Sequence, residues 1–273
     1  MCNIDRATLD CVVGSTLSYI DPDVFYNKWD MFKDSLLPHS KKCFYFENEG
    51  YINALLVGVN EKPIFYDGTL NPINPNDAQA YLLMKDNIAY VFFRGTSGVA
   101  DMSANLDCMQ TTIKGVARVH TGFYKQTMSI YDAIKKDIDI YKPSKVVLCG
   151  HSLGGAIATI TSLLFASDGL DVSCVTIGSP MVGNREFVSM FKCLVANSIR
   201  ITNEYDPVPL LPYMWGYYHV HGMMHGKWKY CHYKTKHKLA NEIDRFMQYE
   251  KIHTQSFTQS ICHEPFIDNA KSH

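Results

Sequence analysis

The 273-residue sequence has no internal repeat, no low-complexity tract and no composition shift that would mark a linker. A solenoid or a string of small modules is excluded on that ground. Charge of one sign is missing too: 26 Lys and Arg stand against 27 Asp and Glu, a formal net charge of −1. Nothing in that balance attracts nucleic acid in bulk. The nine cysteines, at 2, 11, 43, 108, 149, 174, 193, 231 and 262, are odd in number, scattered and without a Cys-x-x-Cys spacing. That pattern reads as a reduced, intracellular (cytoplasmic) protein rather than a disulfide scaffold. The opening MCNIDRATLD lacks an apolar run behind a basic start, so no signal peptide is expected. One stretch, Val146 to Ser167, lacks formal charge over a length that could span a bilayer. However, Gly150, His151, Ser152, Gly154 and Gly155 fall inside it, and non-helical backbone in lipid must be covered by protein. No transmembrane helix is expected.

What the chain does have is concentrated between Lys145 and Ala166, KVVLCGHSLGGAIATITSLLFA. A β-branched run, Val146 to Cys149, breaks at Gly150-His151-Ser152-Leu153-Gly154 and continues as a long apolar segment of helical composition. That order is strand, sharp turn, helix. A serine in a Gly-x-Ser-x-Gly turn is lifted off the end of a central strand and exposed as a nucleophile. The helix behind it points its first N–H groups at that serine. Ser152 is therefore the candidate nucleophile, and the N–H of Leu153, the next residue, a candidate oxyanion donor.

Around this unit the coarse pattern alternates. Ile4 to Ile20 and Val24 to Leu37 read as helices, followed by short apolar runs at Cys43 to Phe46, Ala54 to Val59 and Ile64 to Tyr66. Ala80 to Met84 and Ile88 to Arg94, joined by Lys85-Asp86-Asn87, read as an antiparallel hairpin. A crossover helix with Tyr131, Ile134, Ile138 and Tyr141 on one face ends at Pro143. Val172 to Ile177 and Ser198 to Thr202 read as further strands with a helix from Asn184 to Cys193 between them. The run from His219 to His237 reads as two aromatic-rich strands, and Leu239 to Tyr249 as a helix.

Val91-Phe92-Phe93-Arg94-Gly95-Thr96, Gly150-His151-Ser152-Leu153-Gly154-Gly155-Ala156, Ile177-Gly178-Ser179-Pro180-Met181-Val182-Gly183-Asn184 and Asn203-Glu204-Tyr205-Asp206-Pro207-Val208-Pro209 occur in that order. Together they resemble the class 3 lipase family of α/β-hydrolases. The resemblance implies an α/β-hydrolase fold, with a central, mostly parallel sheet, an N-terminal antiparallel hairpin and helices on both faces. It implies one domain across 1–273, a lid at 97–107 carrying Val99, Met102 and Leu106, and a place for Thr96 in the oxyanion hole. Donors there must be fixed before the reaction begins, because the negative oxygen develops only in the transition state.

The acid is expected beyond the last strand, since sites of open α/β sheets lie at the carboxyl ends of strands. Asp206 stands there, with Glu204 as its rival. His120 precedes the nucleophile, whereas the hydrolase order is Ser, Asp, His, so it reads as structural. The base is sought among His219, His221, His225, His232, His237, His253, His263 and His273. His263, with Phe266 three residues on, resembles the family's late histidine, and His253 remains the rival.

His221-x-x-x-His225 fits one zinc-binding pair but has no second tight pair, so neither metal nor cofactor is expected. From Pro207 to Asn241 there is no Asp or Glu, while Lys227, Lys229, Lys234, Lys236 and Lys238 interleave with Trp215, Tyr217, Tyr218, Trp228, Tyr230 and Tyr233. That mixture over 215–238 suits transient contact with a membrane or lipid-droplet surface. The expected function is hydrolysis of lipid esters, acylglycerol or phospholipid, through a Ser-Asp-His triad and an acyl-enzyme. The alternatives are acyl transfer with the same residues, or an inactive lipid-binding module.

Overall fold

The computed structural model describes residues 6–19, 59, 61–96, 109–203, 206–212, 216–220 and 223–226. The expected helix at Val24 to Leu37, the lid at 97–107, the helix at Leu239 to Tyr249 and, of 215–238, residues 215, 221–222 and 227–238 lie outside these residues.

Helix α1 spans Arg6–Leu17. The strands are β1 (Ile64–Asp67), β2 (Gln79–Lys85), β3 (Ile88–Phe93), β4 (Gln110–Ile113), β5 (Ala117–His120), β6 (Lys145–His151), β7 (Val172–Ile177), β8 (Asn197–Asn203) and β9 (Met223–Gly226). Helix α2 is Thr121–Tyr141, α3 is Leu153–Ser167 and α4 is Arg185–Leu194. Seven strands form one sheet in the order β1-β2-β3-β6-β7-β8-β9. The pairs β1–β2 and β2–β3 are antiparallel, and every pairing from β3 to β9 is parallel. The expected architecture is present, with one addition: β4 and β5 form a separate two-stranded hairpin that the pattern of the sequence did not announce. Its strands, QTTI and ARVH, are too short and too polar to stand out as strands. In the 219–237 run the described backbone shows one short strand, β9, lying parallel to β8.

Alternation along each strand sorts the core into two faces. Val91, Phe93, Val146 and Leu148 pack with α2, α3 and α4, whereas Tyr90, Phe92, Val147 and Cys149 pack with Cys11 and Leu17 of α1. Every residue of α3 from Leu153 to Phe165 is buried. A helix apolar all round belongs in the interior of a protein this size, and no helix among the described residues is long and apolar enough to cross a membrane. On α2 the buried stripe runs through Phe123, Thr127, Ile130, Ile134 and Ile138, which leaves Tyr131 half-buried beside it.

Pairing registers line up Asp67 with Gln79, Phe93 with Gly150, His151 with Ile177, and Ile177 with Ile201. The Arg94 N–H donates to the Gln79 carbonyl at 2.9 Å, closing the row between the antiparallel and parallel parts. This row marks the carboxyl end of the parallel strands.

Candidate active site

Ser152 lies just past β6 and caps α3 with φ 56° and ψ −124°. Positive φ is strained for a residue with a Cβ and persists only where the surroundings enforce it. The enforcement is visible on both sides. The Ser152 N–H donates to the Ile177 carbonyl at 2.9 Å, and the Ser152 carbonyl accepts from Gly155 at 3.0 Å and Ala156 at 3.3 Å. The strand thus carries on through Gly150 and His151, two residues beyond Cys149, because β7 pairs with both. The chain then reverses into α3 within one residue.

Gly154 is needed for this reversal: a Cβ there would sit 2.2 Å from the Phe93 carbonyl oxygen. Gly95 is needed as well, since its Cβ would meet the His151 oxygen at 2.5 Å and the Ser152 Cβ at 3.4 Å. These two close approaches press the end of β3 against the elbow. Thr96, half-buried, follows directly, and Leu153, buried, begins α3. The first N–H groups of a helix have no intrahelical acceptor. The structure therefore brings the loop of Thr96, the first turn of α3 and Ser152 to one place.

Asp206 is buried in the turn after β8, where its Oδ1 accepts the Val208 N–H at 2.9 Å. This is the short-range turn that Asp favours, with Pro207 between the two residues. Neighbouring exits are tied to one another: Gly178 N–H donates to Ile201 O at 2.9 Å and Met181 N–H to Leu211 O at 2.7 Å. His263, His253 and Glu204 lie outside the described residues. His120 is the N-cap of α2, its Nδ1 accepting the Phe123 N–H at 3.2 Å, which is a structural role. His219 is committed as well: its Nε2 lies 2.6 Å from the Pro209 carbonyl oxygen. Burial, together with the Arg200 guanidinium, pushes its pKa down to about 4. The imidazole is thus neutral at ordinary pH, and its Nε2–H donates to Pro209. Arg200 on β8 is itself buried, with Nε and Nη1 lacking a hydrogen-bond partner among the described residues, and burial lowers its pKa to about 10.

Tyr19, just past the end of α1, was not singled out from the sequence. Its hydroxyl lies 2.7 Å from His151 Nδ1, and Arg94 stands 6.0 Å from its ring centroid. A Cβ on Gly95 would meet that hydroxyl at 2.3 Å. The Tyr19–His151 contact joins positions 132 apart, and no local pattern signals it. Among the described residues no cluster of three or more His, Cys, Asp or Glu side chains is placed to hold a metal ion. A cavity of about 430 Å³ is lined by Ile88, Lys145 and Asn197 among others. It sits at the amino ends of the strands, away from Ser152.

Residues 90–215, which span the Thr96 loop, the Ser152 elbow and the Asp206 turn, match the class 3 lipase family model. Through residues 90–215 the chain is similar to class 3 lipases. A secreted mono- and diacylglycerol lipase of Fusarium solani is 36% identical over 137 residues, 48% of this chain and 41% of the relative. The toxin TseL of Vibrio cholerae is 28% identical over 212 residues, 66% of this chain and 31% of the toxin. The chain thus spans well under half the length of these curated relatives. The solved structure of Rhizomucor miehei triacylglyceride lipase superposes with a TM-score of 0.63 at 23% identity, over 81% of this chain and 79% of that one. The chain therefore has the α/β-hydrolase fold.

Proposed function

We propose that the chain is a single α/β-hydrolase domain that cleaves carboxylic esters of lipids. The observation that carries the reading is Ser152 held at φ 56° between β6 and α3, with the Gly95-Thr96 loop packed against it. Strain of this kind is costly and is kept where a hydroxyl must be presented. The Ser152 oxygen attacks the ester carbonyl while His263 takes its proton, and the carbonyl oxygen becomes an oxyanion. The N–H groups of Thr96 and Leu153 hold that oxyanion. Collapse expels the alcohol, which receives the proton from His263, and leaves an acyl group on Ser152. Water, deprotonated by the same histidine, attacks the acyl-enzyme and releases the acid. Asp206 orients the imidazole and stabilises its charge. No metal is called for in this sequence of steps.

Acylglycerols and phospholipids are the substrate classes in view, and the name of the Fusarium relative supports acylglycerols. Intracellular placement rests on the scattered cysteines, of which Cys11, Cys149, Cys174 and Cys193 are free thiols. Labelling by a fluorophosphonate, abolished in Ser152→Ala, tests the reading; an unlabelled wild-type chain would leave only a lipid-binding module. An acceptor-alcohol assay separates hydrolysis from acyl transfer. Turnover of His263→Ala beside His253→Ala identifies the base, and loss in the second alone would move it to His253.

A further inference from the structure

Past β1 the chain makes a loop, Gly68 to Asp77, before returning as β2. Because Asp67 pairs with Gln79, this loop leaves the sheet at the row that also carries His151. It lies roughly 14 Å from β6 along the sheet, at about 4.8 Å per strand. Its side is also that of the first turns of α2: Asn71 Nδ2 donates to Ser129 O at 2.7 Å and Asn74 Nδ2 to Lys125 O at 3.1 Å. Two large apolar side chains stand out of it into solvent, Leu70 at 80% exposure and Ile73 at 93%.

An exposed leucine by itself means little. What sets this loop apart is where its backbone polar groups go. Thr69 N–H donates to Asp67 Oδ1, Ile73 and Asn74 N–H both to Asn71 Oδ1, and Asp77 N–H to Asn76 Oδ1. Gly68 N–H donates to Ala78 O, while Asn71 and Asn76 N–H donate to Gly68 O. Pro72 and Pro75 have no N–H to satisfy. Of the N–H groups from Gly68 to Asp77, then, all but that of Leu70 have a named acceptor within the protein. Water is not needed to satisfy these donors, which lowers the cost of bringing the loop against an apolar medium. The same network fixes the backbone that carries the two apolar side chains, so little backbone ordering remains to be done on contact. Residues 68 to 76, GTLNPINPN, carry no charge.

We propose that this loop is a docking point for a neutral or zwitterionic lipid surface, with Leu70 and Ile73 entering among the acyl chains. The proposal rests on the ester-hydrolase reading for its purpose, because it places the row of Ser152 against the phase that holds the substrate. Other exposed apolar groups agree. Met109, beside the first turn of α2, and Leu210, beside the acid turn, are each 61% exposed at this same end. Val116, Ile140 and Leu194 are exposed at the opposite end and serve as internal controls. The absence of charge from the tip selects a neutral surface over an anionic one.

Flotation with phosphatidylcholine vesicles tests this directly. Ile73→Asp and Leu70→Ser are each expected to lower vesicle partition about tenfold, the scale set by burying one large apolar side chain. Ile140→Asp is expected to leave partition at the wild-type value, and the emission of Ile73→Trp to shift to shorter wavelength when vesicles are added. Turnover of a soluble short-chain ester is expected to be the same in all four variants as in wild type. Wild-type partition in Ile73→Asp, an equal loss in Ile140→Asp, or an unmoved Ile73→Trp spectrum would overturn the proposal. Binding only to phosphatidylglycerol vesicles would overturn it too. Partition is read without catalysis, so a wild-type chain that floats with the vesicles yet leaves the soluble ester intact keeps the docking surface and removes the hydrolase.

Discussion

Two strand exits at the same end of the sheet are built differently. At the end of β6 the position of Ser152 is set by main chain against main chain: carbonyls of Ile177 and Phe93, amides of Gly155 and Ala156, and glycines where a Cβ would collide. At the end of β8 the position of Asp206 is set by side chains. Its own carboxylate accepts from Val208, His219 is fastened to Pro209, and Arg200 lies buried nearby in the chain with Nε and Nη1 unpaired among the described residues. Main-chain close packing has no slack, because neither partner can rotate away. Side-chain fastening can lose one group and keep its backbone. Function and stability should therefore fail together at the first exit and separately at the second.

The largest expected effect is at Asp206, the proposed acid. Asp206→Asn keeps an oxygen that can accept from Val208, so the melting temperature should stay close to wild type while kcat falls about 10³- to 10⁴-fold. A melting temperature lowered as far as the elbow variant's would erase the distinction. Gly154→Ala is that variant. Its Cβ, 2.2 Å from the Phe93 oxygen, should reduce fluorophosphonate labelling about a hundredfold and destabilise the protein by about 2 to 3 kcal/mol, read by denaturant unfolding.

A smaller effect is expected from pH. His219 has its pKa lowered from 6.5 to about 4 in the folded protein, so between those values the unfolded chain binds more protons. Stability on this account is full above pH 6.5 and is lost as pH falls towards 4, by roughly 2 kcal/mol after allowing for partial exposure. His219→Gln should flatten that part of the stability curve; an unchanged slope would remove His219 as its cause. The smallest effect belongs to Arg200→Met, which takes away a buried charge whose Nε and Nη1 have no hydrogen-bond partner among the described residues. Stability should rise by about 1 kcal/mol and the His219 pKa should move up, which NMR titration reads. A loss of stability instead would mean that the guanidinium fastens the second exit.

The contrast between the exits also explains what could be read in advance. Val146 to Ala166 declares itself because, Gly95 apart, the constraints on Ser152 that call for glycine fall within a few positions of it. The hairpin β2–β3 was legible for a similar reason, its Asp86-Asn87 turn having positive φ at both residues, 50° and 59°. The β4–β5 hairpin was not, because its stability comes from partners elsewhere. Asn184 Oδ1 accepts the Arg118 N–H at 3.0 Å, and His120 N–H donates to Val182 O at 3.0 Å. Tyr19 was missed on the same ground, its partner His151 being supplied by a different element.

The sequence by itself singled out Ser152 as the candidate nucleophile, the order of strands and helices around it, and the phrases that mark Thr96 and Asp206 as candidates. Those features depend on residue types at fixed short spacing, where propensity and steric fit act locally. Only the tertiary structure decided that β3 presses Gly95 onto the elbow, that Tyr19 reaches His151, that His219 is held neutral beside Arg200, and that Leu70 and Ile73 share an end of the sheet with Ser152. Each of those is a matter of which elements become neighbours and how burial changes a group's charge, and neither is a property of any stretch of chain taken alone.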